Sequence, residues 1–108
     1  MNEFFKERDW KYMRSIKKEL LHALCSRINR EVIDIVTAEG KNPHERYLGL
    51  YQHIQKSDRI VADCFNRWSR SWLHLKILCL RRHDLLKDAH VEHLSEGGQE
   101  WLAKVEDL

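Results

Sequence analysis

A single break constrains this chain more than any other feature. Gly40-Lys41-Asn42-Pro43 interrupts a sequence that holds one Pro and four Gly in 108 residues, with helical periodicity on both sides. Gly40 suits the left-handed position after a helix end. Asn42, Pro43 and Glu45 suit the N-cap, first and third positions of a following helix. So short a connection turns the two helices roughly antiparallel. The expected fold is all-α: a long antiparallel helical hairpin with a small C-terminal helical cap, completed as a bundle by a second chain.

The first arm is expected over residues 3–39, with Asn2 as N-cap and Glu3 and Glu7 in the opening turns. Met13, Ile16, Leu20, Leu24, Ile28, Val32 and Ile35 recur at helical spacing. Trp10, Leu21 and Val32 repeat at eleven residues, not at the heptad of a left-handed coiled coil. Phe4, Phe5 and Trp10 would be exposed by fraying and are expected to dock.

The second arm is expected over 43–86, with Ser57-Asp58 as the place where a corner competes with continuity. Tyr47, Leu50, Tyr51 and Ile54 are expected to be buried. Tyr47, Leu50 and Ile54 keep the angular phase of Val61 and Phe65, which favours an unbroken helix. From Ser57 to Leu86 there is neither Gly nor Pro. Val61, Phe65, Trp68, Trp72, Leu75 and Cys79 form one apolar stripe at steps of three and four. Arg67, Arg70, His74 and Arg81 lie behind it, and this ridge is expected to dock an acidic protein partner. Beyond Trp72, Leu73, Ile77 and Leu80 add a second apolar side, expected to be an oligomer interface. Two such arms, the second roughly 60 Å long at the helical rise, carry more apolar stripe than one chain can cover. A homodimer is the expected remedy.

Residues 88–108 are read as short helices capped by Asp88 and Ser95, with Trp101, Leu102 and Val105 as the apolar side of the last. Gly97-Gly98 is expected to weaken that helix by about 1 kcal/mol per Gly. Of the 19 basic side chains only Lys104 lies beyond residue 88, against five of the 17 acidic ones. The result is a mildly basic body with an acidic tail.

With 43% apolar and 33% charged residues the chain reads as one soluble helical domain, 1–108. No apolar run approaches the ~18 residues of a membrane span, and Met1 to Lys6 lacks a secretory apolar segment. Cys25, Cys64 and Cys79 are odd in number and sit within helical patterns, which points to reduced thiols and a cytoplasmic location.

Chemistry is sparse. His90-x-x-His93 with Glu92, and His22-x-x-Cys25, could each offer ligands from one turn, but neither matches an established metal set. Neither a metal nor a cofactor is expected. Cys64 or Cys79 beside a histidine is the best nucleophile candidate, yet no Gly-rich strand-to-helix turn exists to build an oxyanion hole. The expected role is a small cytosolic binding or regulatory module acting through protein–protein interaction, without catalysis. Nucleic acid is the alternative partner, through the basic ridge Arg8, Lys11, Arg14 and Lys18. Long parallel stripes argue against a helix-turn-helix.

Overall fold

A computed structural model describes residues 3–108. It is all-helical, as the periodicity implies. Helix α1 spans Glu7–Val36, α2 Pro43–Phe65, α3 Leu73–Arg82, α4 Asp88–Val91 and α5 Glu96–Glu106, with a 3-10 turn over Arg70–Trp72. The molecule measures 53 × 25 × 20 Å. Its long axis follows α1, whose 30 residues reach about 45 Å.

The hairpin forms as its turn chemistry dictates. Gly40 takes φ +79°, a left-handed value that favours glycine. The Asn42 side chain accepts from Glu45 N at 2.8 Å and donates to Glu45 Oε1 at 3.0 Å. Pro43 occupies the first turn, where its missing N–H costs nothing. Arg46 Nε then donates to Ala38 O at 3.0 Å, tying the turn shut. Helix α2 passes through Ser57-Asp58 without a break.

The second arm nevertheless ends at Phe65, not at residue 86. Asn66 is extended (φ −76°, ψ 155°) and Arg67 adopts φ 55°, so residues 66–72 form a corner. Helical phase therefore misplaces Trp72, while Trp68 still packs against the core. Trp68 is half-buried, stacked on Phe65 at 5.8 Å, with Lys17 Nζ 5.2 Å above its ring. Trp72 is exposed beneath the Arg67 guanidinium, 5.3 Å away. Lys76 holds the corner: its buried Nζ donates to Asp63 O at 2.7 Å, placing a cation on the carbonyl end of α2.

After the corner α3 folds back onto the hairpin's base, the end that holds the start of α1 and the close of α2. Leu73, Ile77 and Leu80 are 1%, 0% and 0% exposed. They are core within one chain and are not available to a second copy. Each contributes about 1.5–3 kcal/mol by burial. Around them gather Met13, Leu20, Leu24, Phe65, Leu86 and Leu102.

The first helix starts at Glu7, not at residue 3; Asn2, expected as its cap, lies outside the described residues. Asp9 performs the capping. Its buried carboxylate accepts from Lys6 N at 2.8 Å, from Ser95 N at 2.7 Å and from Ser95 Oγ at 2.6 Å. Ser95 in turn caps α5 through Gly98 N. Phe5 docks on that same turn, where a Cβ on Gly98 would lie 2.9 Å from its ring. The glycine that weakens α5 in isolation thus makes room for the N-terminal aromatics. The acidic tail folds back: Arg81 pairs with Glu106 at 2.7 Å and with Asp88 at 3.0 Å.

Candidate functional site

Because residues 66–108 pack on the base of the hairpin, its tip has only two helices. There the arms meet closely, and a Cβ on Gly49 would sit 3.3 Å from Ile35 Cγ2. One side of the tip is a groove in which Asp34, Lys41, Glu45 and Arg46 surround Ile35, Ala38 and Gly49. At 100° per residue, Val32 and Val36 of α1 and Tyr47, Tyr51 and Ile54 of α2 fall on the opposite flank. The sequence pattern implies that α2 buries Tyr47, Leu50, Tyr51 and Ile54. Instead Tyr47 is 61% exposed, Tyr51 55% and Ile54 46%, and Val36 beside them on α1 is 38% exposed.

This flank is uncharged as well as apolar. It runs through Cys25, Asn29, Val32 and Val36 on α1 and through Tyr47, Tyr51, Ile54 and Gln55 on α2. No Asp, Glu, Lys or Arg intervenes until Asp58, in a chain that is 33% charged. Ile33 and Leu48, also exposed, extend the apolar surface around the helix backs. Interface centres are marked by such charge depletion together with tyrosine enrichment.

The ridge expected to dock a partner is not one strip. Arg70 grips Glu7 through both carboxylate oxygens, at 2.6 to 3.1 Å. That pairing holds the Glu7 carboxyl below its usual range and raises Arg70. Arg81 is raised by Glu106 and also donates to Leu86 O at 3.0 Å. His74 is half-buried with its ring edge-on to Trp101, and Arg67 covers Trp72. Arg70 and Arg81 thus hold the protein's own ends together. By contrast Arg8, Lys11, Arg14 and Lys18 are exposed, and none forms an ion pair or side-chain hydrogen bond among the described residues.

The His90-x-x-His93 pair is engaged elsewhere. His90 Nδ1 accepts from Lys87 N and its other nitrogen faces Glu19, while His93 stacks on Tyr12 at 4.9 Å. The fold instead brings both candidate cysteines to one histidine, a three-ligand set that no sequence motif marks. Cys64, Cys79 and His83 bring two sulfurs and an imidazole nitrogen within 4.8 Å of one another. Cys79 and His83 are four residues apart, one turn along α3, and that spacing is the signal available in the sequence. The sulfurs are 2.7 Å apart, and burial pushes the Cys64 thiol well up, so it is not a ready nucleophile.

No helix among the described residues is long and apolar enough to cross a membrane. No family model, curated protein or solved structure matches the chain.

Proposed function

We propose that the protein is a non-catalytic helical binding module that works by protein–protein interaction through the uncharged flank of its hairpin tip. The first occupant of that flank is a second copy of the chain. The observation that carries this proposal is the row Val36, Tyr47, Tyr51 and Ile54, left exposed together on one charge-free flank. Its uncovered apolar area is on the order of 500 Å² per chain, the two tyrosines supplying about half. With its polar rim this approaches the ~800 Å² per partner of a standard interface. A face without charge has nothing to repel its own copy. Further along the same flank of α1, Lys11, Arg14 and Lys18 do carry charge. A two-fold dimer with tips overlapping antiparallel keeps those basic stretches at opposite ends.

Tyr51→Glu places a charge in the middle of the flank and is expected to halve the mass seen by light scattering, with helicity unchanged. Arg30→Glu, a charge change at an exposed site off the flank, leaves the mass alone. Equal masses for Tyr51→Glu and wild type at all concentrations remove this surface from the account. Three free cysteines suit a reducing compartment such as the cytosol.

The unpaired ridge Arg8, Lys11, Arg14 and Lys18 favours a second reading, a polyanion such as nucleic acid. Capture that falls steeply with added salt, and falls again when Lys11 and Arg14 become Glu, supports it. Salt-independent capture excludes it.

A further inference from the structure

We propose that Cys64, Cys79 and His83 form a binding site for a thiophilic divalent cation of the zinc class. Three donors from two helices converge: Cys64 from the last turn of α2, Cys79 from α3, and His83 from the residue that caps α3. All three donor atoms lie within 4.8 Å of one another. Two sulfurs and one imidazole nitrogen are a donor set that selects a borderline-soft ion over magnesium or calcium. Charge balances as well, since two thiolates and a neutral imidazole cancel a divalent ion and leave no net buried charge.

At two of the three ligands the backbone is clamped by a cation reaching from another helix. Beside Cys64, Lys76 Nζ donates to Asp63 O. At His83, Arg27 Nη1 donates to the His83 carbonyl at 2.6 Å and Nη2 to Asp84 O at 3.2 Å. The first contact fixes the end of α2 to α3 and the second fixes the end of α3 to α1, so the ligands arrive without an ion to gather them. One adjustment is required. Zinc–sulfur bonds of about 2.3 Å hold two thiolates roughly 3.8 Å apart, against 2.7 Å between the sulfurs here. Cys79, at the half-buried edge of the site, can swing outward to supply the difference.

Binding is a proton exchange without electron transfer. Each S–H bond breaks heterolytically, each sulfur lone pair forms a bond to the ion, and two protons pass to the buffer. Three protein ligands leave a fourth position for water or an exogenous donor. His83 also borders the cleft that contains Glu31, His53 and Ile60, which gives that donor a route. An ion held here ties α2 to α3 across the 66–72 corner, so occupancy and fold stability are linked.

The test is titration of the reduced, full-length protein with zinc(II) and cobalt(II). The expected results are one ion per chain, two protons released per ion, thiolate-to-cobalt charge-transfer absorption, and a rise in Tm reversed by a chelator. His83→Asn alters a half-buried residue outside the hydrophobic core; it is expected to weaken binding at least tenfold, as is Cys79→Ser. Cys25→Ser and His93→Asn are expected to bind as wild type does. Failure of the folded, reduced wild type to bind either ion stoichiometrically overturns the site. So does affinity unchanged in both His83→Asn and Cys79→Ser. If glutathione at a cytosolic poise joins Cys64 to Cys79 and the protein then takes up no ion, the pair is a disulfide and the proposal falls.

Discussion

Single polar side chains close this fold by reaching across it. Three helix ends are met by a cation from another segment: Arg46 on Ala38 O, Lys76 on Asp63 O and Arg27 on His83 O. Caps that act within one turn, such as Asn42 and Ser95, were legible in the sequence because their partners sit three residues away. Asp9 was not, because it bonds Ser95 from 86 residues away. Asp9→Ala strands the buried Ser95 N–H and uncaps α1, and is expected to cost about 2–4 kcal/mol in denaturant melts. Gly98→Ala gains about 1 kcal/mol of helix propensity but drives a methyl into the Phe5 ring, and overpacking of about 1–3 kcal/mol makes the net change a loss. The Glu7–Arg70 pair predicts a pH effect. Because the folded carboxyl is held below its ordinary value of 4.5, its contribution is present above that pH and is lost as pH falls below it. Both partners are about half exposed, so the effect is small. In acid titrations Glu7→Gln is expected to lose less stability than wild type below pH 4.5.

At the scale of elements, the hairpin followed from its turn residues and the unbroken passage through Ser57-Asp58 from its phase. The corner at 66–72 did not. It uses no Gly or Pro, and Arg67 takes a left-handed conformation uncommon for its type. The cluster Asn66, Ser69 and Ser71 was the available hint, since these residues favour turns and caps. Once the corner exists, residues 73–108 turn back, and Leu73, Ile77 and Leu80 face inward. Ile77→Ala is then expected to cost about 2–5 kcal/mol without altering oligomer mass. Trp72→Ala, at a 38% exposed site, should stay within about 1 kcal/mol. Urea titration of both variants checks the contrast, and similar losses would place the core elsewhere.

Across the whole molecule, apolar surface is distributed unevenly. Everything after Phe65 covers the base of a 53 Å particle, and the tip is left as two helices with a tyrosine-bearing flank. Periodicity shows which residues are apolar on one side of a helix, but not which of them the rest of the chain will reach. That is why the pattern could mark Leu73, Ile77 and Leu80 as a second apolar side without showing that the chain itself covers them. The central claim is that copies meet through the uncharged tip. Sedimentation equilibrium of the wild-type chain over a micromolar concentration series, at low and high salt, tests it most directly. The expected result is a mass that rises from 13.1 kDa toward twice that value, at the same concentrations in both salts because the interface is apolar. A mass of 13.1 kDa at every concentration contradicts the claim.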